Sequence, residues 1–215
     1  MKLSRRQISQ LGIVGLISTA GFGLSSCGSS KTLSKTSSDD MTKGVATAKI
    51  TLIEYASPTC IHCADFDAEV MPELQKKYID TGKVFFVFRE FLTAPADTAA
   101  ASVLLARCAG KDKYFGVLQS VWRSLPEMSL GMPNNNSRAV LESIAQSLGM
   151  SKDDFITCVT DEKALAQLND KVQSYISDHQ ISQTPSFFIN GKRLDYKGGG
   201  IAEFDEAFKP LLAAK

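Results

Sequence analysis

The stretch EYASPTCIHCADF (residues 54–66) places Cys60 and Cys63 two residues apart, with His62 between them, directly after a short apolar run. Upstream, AKITLIEYAS (48–57) has the apolar, β-branched character of a strand. Downstream, Phe66, Val70, Leu74 and Tyr78 recur every four positions, the period of an amphipathic helix. Pro72 lies inside that helix, lacks a backbone donor and predicts a kink. A strand leading through a cysteine pair into a helix puts Cys60 at the helix N-terminus. There, free N–H groups and the helix dipole favour an anion, which lowers a thiol pKa and makes thiolate available. Cys63 falls one turn further in, beneath Cys60. A disulfide between them would be open to attack at one sulfur only, so the two thiols have unequal roles. His62 adds positive charge when protonated.

Working outward, KVFFVFREF (83–91) carries five consecutive apolar residues from Val84 to Phe88, the pattern of a strand covered on both faces. Residues 93 to about 180 read as helical. An Ala-rich run closes at Gly110, KDKYFGVLQSVWRSL follows, and LPEMSLGMPNNN (125–136) reads as a loop. In SRAVLESIAQSLG (137–149), Leu141, Ile144 and Leu148 share one face. Ser151 and Asp154 have the spacing of a capping box. Two short apolar runs then flank Asn190-Gly191, a hairpin signal, and a last helix presents Phe204, Phe208 and Leu211 on one side. Strands from both ends of the chain must therefore share one sheet with helices packed outside it. That is an α/β domain with an inserted helical block.

The bulk numbers agree with one domain plus an extension. The chain has 215 residues, 44% hydrophobic and 22% charged, and a net charge of +1. That balance gives no reason to expect a nucleic-acid partner or a general affinity for acidic membranes. Residues 1–27 form a basic head (Lys2, Arg5, Arg6), an apolar stretch rich in glycine and small residues, and a terminal LSSC, the three-part pattern of a signal peptide. Four glycines and several polar residues make it a weak membrane span. SRRQI is similar to a twin-arginine export motif, without its usual ending, so ordinary Sec export stays open. LSSC resembles a bacterial lipobox, in which Cys27 would carry lipid and become the first mature residue. Membrane contact is expected only through that signal or anchor. Residues 28–45 are rich in Ser, Thr and Lys and read as a flexible tether before a domain spanning 46–215.

Five cysteines are an odd number, and export implies an oxidising compartment. With Cys27 lipid-bearing or discarded, four remain. Cys60 and Cys63 enclose too short a loop to make a useful staple. Cys108 and Cys158 enclose a long one, for which chain entropy gives about 4 kcal/mol. Hence 108–158 is the candidate structural disulfide and 60–63 the candidate chemistry. Cross-pairing, or two buried free thiols at 108 and 158, stays open at this level.

TLIEYASPTCIHC (51–63) and TPSFFINGK (184–192), with a helical block between them, resemble the DsbA-type thiol–disulfide oxidoreductases of the thioredoxin superfamily. The resemblance covers roughly residues 40–213. It implies a thioredoxin-like fold with a central mixed sheet and a helical insertion at about 93–180. Cys60 then corresponds to the nucleophile and Cys63 to the resolving cysteine. Thr184-Pro185 corresponds to the cis-proline loop that offers backbone groups to an extended substrate. Glu54, six residues before Cys60, corresponds to a buried acid that exchanges a proton with Cys63; its alternative is a strand acid facing solvent. The family acts on reduced or unfolded exported proteins and is reoxidised by a quinone-linked membrane protein of the DsbB kind. It needs no cofactor, because the cysteines carry the electrons. The family often has proline where this chain has Ile61, and that dipeptide tunes the potential. Asp65, Asp67 and Glu69 oppose a thiolate, but a solvated helix face is the simpler expectation for them.

Four other functions compete with oxidation. A metal site at Cys60, His62 and Cys63 lacks a second pair of ligands, since the other histidine is the distant His179. A thioredoxin-like reductase would use the same chemistry with electrons reversed, but the long helical block resembles the oxidases. A disulfide isomerase usually carries a dimerisation domain, for which about twenty residues before the first strand leave no room. A peptide-binding chaperone would have no need of the cysteine pair.

Overall fold

The computed structural model describes residues 36–214. The signal peptide, Cys27 and the first part of the tether lie outside the described residues. Five strands form one mixed sheet: β1 (Met41–Lys43), β2 (Ile50–Ala56), β3 (Val84–Glu90), β4 (Ser186–Ile189) and β5 (Lys192–Leu194). Their order is β1-β3-β2-β4-β5, with β2 parallel to β3 and every other pairing antiparallel. Parallel β2 and β3 need a crossover between them, and the segment after Cys60 supplies it.

That segment departs from a single kinked helix. It runs as α1 (Ile61–Glu69), α2 (Met71–Leu74) and a π-helical turn over Gln75–Ile79. Pro72 sits in the first turn of α2, where its missing N–H costs nothing, so the proline starts a new helix as well as ending the old one. Residues 93–180 form α3 (Ala96–Cys108), α4 (Lys111–Arg123), α5 (Leu125–Met128), α6 (Ser137–Ser147), α7 (Lys152–Val159) and α8 (Glu162–His179). The short α5 lies in the stretch that reads as loop. Both halves of the Ser151/Asp154 capping box open α7. Asn190 and Gly191 both have positive φ (48° and 81°), as a two-residue hairpin turn requires. The chain ends in α9 (Ile201–Ala213). Cys108 on α3 and Cys158 on α7 are bonded, with Cα atoms 6.1 Å apart.

The alternation of the strands divides the core. Leu52, Ala56, Phe86, Phe88, Phe187 and Ile189 face α1, α9 and the helical insertion. Ile53, Tyr55, Val87 and Phe188 face the opposite side, against Leu168, Val172 and Tyr175 of α8. Glu54 shares the parity of Leu52 and Ala56, so it lies on the α1 side of the sheet.

The expected tether of 28–45 ends earlier than its composition implies. Met41–Lys43 form the edge strand β1, and Met41 is buried. Asp40 pairs with the buried Arg89 at 3.3 Å, and Asp39 pairs with Arg107 at 2.9 Å and with Lys171. Two acids in a Ser/Thr-rich run thus find cations that come together only in the fold. Because β1 runs antiparallel to β3, this segment enters the sheet at the C-terminal end of β2 and β3, the end from which Cys60 follows.

Candidate active site

β2 ends at Ala56, and the buried loop Ser57-Pro58-Thr59 leads into Cys60, the N-cap of α1. Cys60 has extended backbone angles (φ −92°, ψ 115°), which turn its sulfur back over the first helical turn. There the sulfur accepts the Cys63 N–H at 3.3 Å. Cys60 is 8% exposed and Cys63 fully buried, so what exposure the pair has belongs to Cys60.

The two thiols titrate in opposite directions. Cys60 falls from an ordinary thiol value to about 6. The chief cause is the hydrogen bond with the Cys63 thiol. The Thr184 side chain and the backbone N–H groups of His62 and Cys63 add to it and outweigh partial burial. Cys63 is pushed well up, first by burial, then by the hydrogen bond and charge of Cys60, then by Glu54. A proton shared by the pair therefore stays on the inner sulfur. His62 contributes through its backbone. Its exposed ring lies 3.7 Å from Asp65.

β4 lies antiparallel to β2 with Tyr55 opposite Ser186, which sets Thr184-Pro185 level with the end of β2, beside Cys60. The Thr184–Pro185 bond is cis. The Cys60 thiol donates to the Thr184 carbonyl at 3.4 Å. Next to this loop, Phe66, Val70, Pro185 and Tyr196 line a groove of about 690 Å³, rimmed by His62 and Lys197.

Glu54 is 2% exposed and its Oε1 has no hydrogen-bond partner, which rules out the solvent-facing alternative. Burial drives its pKa well above the usual carboxylate range. Asp67 and Cys60 push the same way, and Lys43 opposes them. Asp67 departs from the solvated-face expectation. It is half-buried, accepts from Gln119 at 3.4 Å, and has its own pKa raised by burial. Its neighbour Lys43 comes from β1, inside the tether expected from sequence, and has its pKa lowered by burial. Nothing local in the sequence marks Lys43 or Asp67. Trp122, whose Nε1 donates to the Ser57 carbonyl at 3.1 Å, was equally hidden.

Among the described residues, no group of three or more His, Cys, Asp or Glu side chains gathers to hold a metal ion. No helix there is long and apolar enough to cross a membrane.

Fold and site together define a thioredoxin-fold protein with its cysteine pair at the start of the first long helix and a cis-proline loop beside it. A thioredoxin family model matches residues 36–206. A Rickettsia conorii protein with a protein-disulfide oxidoreductase name is 36% identical over 157 residues, which are 73% of this chain and 55% of that protein. The chain thus spans little more than half the length of this curated relative. Disulfide bond formation protein D of Bacillus subtilis is 23% identical over 74% of this chain. The crystal structure of alpha-DsbA1 from Wolbachia pipientis superimposes with a TM-score of 0.76 at 27% identity, covering 86% of this chain and 96% of that one. The chain belongs to the thioredoxin family and is DsbA-like within that superfamily.

Proposed function

We propose that the chain is an exported thiol–disulfide oxidoreductase that donates a Cys60–Cys63 disulfide to reduced exported proteins. The observation that carries this reading is the split between the two thiols: Cys60 near pKa 6 at the surface, Cys63 protonated and buried beneath it. A substrate thiolate attacks Cys60 Sγ, and the Cys60–Cys63 bond breaks. Cys63 leaves and takes a proton, for which the high-pKa carboxyl of Glu54 is the donor. A second substrate thiolate attacks the substrate sulfur of the mixed disulfide, and Cys60 leaves as a thiolate. The substrate has lost two electrons and this protein has gained them. The low pKa of Cys60 makes it a good leaving group in that last step. The groove lined by Phe66, Val70, Pro185 and Tyr196 suits an extended substrate held beside Cys60.

The N-terminal pattern supports export through residues 1–27, with lipid at Cys27 and the residues that follow it leading into the domain. The localisation is then the periplasm or the outer face of a bacterial membrane. Reoxidation falls to a quinone-linked membrane protein of the DsbB kind, and the cysteines need no cofactor.

The test is the reduction potential of the Cys60–Cys63 couple in glutathione buffers. A potential near about −120 mV supports oxidation of substrates, and one near about −270 mV reverses the direction and makes the protein a reductase. Ile61 in place of proline is the feature that favours the second reading. Recovery of scrambled disulfides in a substrate with several pairs would indicate an isomerase.

A further inference from the structure

Three hydroxyls form a closed triangle under the loop that carries Cys60. Ser57 Oγ lies 3.2 Å from Thr59 Oγ1 and 2.8 Å from Thr93 Oγ1, and the two threonine hydroxyls are 2.9 Å apart. The protons can be assigned without remainder. Thr93 donates to Ser57, Ser57 donates to Thr59, and Thr59 donates to Thr93 Oγ1, sharing that proton with the Thr93 carbonyl at 3.2 Å. The Thr93 N–H adds a bond to Ser57 Oγ at 3.1 Å. Ser57 is fully buried and Thr59 nearly so, and in such surroundings a complete polar network holds its geometry firmly.

The Ser57 carbonyl is the second anchor. It accepts the Cys60 N–H at 3.1 Å and the Trp122 indole N–H at 3.1 Å. Thr93 sits in the link between β3 and α3, and Trp122 sits on α4, so both belong to the entry and body of the helical insertion. Neither is among the groups hydrogen-bonded to either cysteine.

We propose that Thr93 and Trp122 are positioning residues, through which the helical insertion clamps Ser57 and Thr59 and so holds Cys60 in its helix-capping conformation. The insertion thereby sets the chemistry of the nucleophile as well as covering the sheet. A loop free to rotate at Ser57 would carry the Cys60 sulfur away from the Cys63 N–H, and the thiolate would lose its cap.

The clamp rests on Cys60 being the low-pKa nucleophile, so the wild-type protein is measured first. Its Cys60 pKa is read from the rate of alkylation against pH, and its equilibrium constant from glutathione. Thr93→Val keeps the shape and the backbone N–H and removes the hydroxyl. It is expected to raise the Cys60 pKa and weaken the oxidising equilibrium constant about five- to tenfold, the worth of one or two hydrogen bonds. Thr93→Ser should restore both. Ser102→Ala removes a buried hydroxyl bond within α3, to Thr98 at 2.8 Å, and should lower stability with no change in Cys60. If Thr93→Val does not fold, Trp122→Phe removes the other anchor and is read the same way. A Cys60 pKa unchanged in the anchor variant, or one moved equally by Ser102→Ala, overturns the clamp. A wild-type pKa near that of an ordinary thiol instead overturns the reading of Cys60 itself.

Discussion

The titration of Cys60 can be followed through the redox equilibrium. The perturbation is pH, and of the cysteine pair only the dithiol form responds, because the disulfide has no thiol to ionise. Cys60 in the folded dithiol has a pKa of about 6 against an ordinary value of 9.0. A depressed pKa stabilises the folded form above the ordinary pKa, and that stabilisation is lost as pH falls through the folded pKa. It is therefore absent below about pH 6, grows by about 1.4 kcal/mol per unit above it, and is complete near pH 9. At pH 7 the thiolate stabilises the reduced protein by about 1.4 kcal/mol, which raises the reduction potential by about 30 mV over a pair with ordinary thiols. The slope is a sharper signature. Below pH 6 reduction takes up two protons with two electrons, and the potential falls by about 59 mV per unit. Above pH 6 only Cys63 is protonated, and the slope halves to about 30 mV per unit. Equilibration with a reference dithiol of known potential from pH 4.5 to 8.5, with the species separated after acid quench, gives the curve directly. A single slope of about 59 mV through pH 8 would refute the assignment of a stabilised thiolate to Cys60.

Glu54→Gln should stabilise the protein at pH 7 and have little effect at pH 4. The raised folded pKa means that burying the ionised carboxylate costs stability, which is lost as pH rises above the ordinary carboxylate value; urea unfolding at the two pH values checks the sign. Cys108→Ala with Cys158→Ala opens a 50-residue separation and should cost about 4 kcal/mol, or roughly 10 °C in Tm. A loss under about 1 kcal/mol in calorimetry would show that the crosslink constrains little of the unfolded chain. Asp40→Ala leaves the buried Arg89 without one of its partners and should cost about 2 kcal/mol. That loss should persist in 1 M salt, whereas a purely surface pair would already be screened. Phe208→Ala empties a fully buried site beside Tyr78 and Phe204 and should cost about 3–5 kcal/mol by denaturant titration, with the Cys60 pKa unchanged.

Much of this was legible along the chain because it depends on neighbours in sequence. A strand that feeds a cysteine pair into a helix is a local pattern, and the helix start supplies the field that favours a thiolate whatever the remaining fold. Asn190-Gly191, the Ser151/Asp154 box and the all-apolar run of β3 are local for the same reason: backbone conformation and side-chain periodicity act over a few residues. The long loop between Cys108 and Cys158 made that pair the candidate staple, and the fold decided it by bringing the two Cα atoms to 6.1 Å. Tertiary structure had to decide the rest, because burial and charge pairing are properties of places that distant segments build together. Met41–Lys43 is too short and too polar to read as a strand until β3 offers an open edge. Asp39 and Asp40 look solvated until Arg89, Arg107 and Lys171 converge on them. Asp67 lies on a helix face that looks exposed until α4 and β1 cover it. Ser57, Thr59 and Thr93 are unremarkable hydroxyls 36 positions apart at most, and they become a network because β2 and β3 run parallel and end side by side.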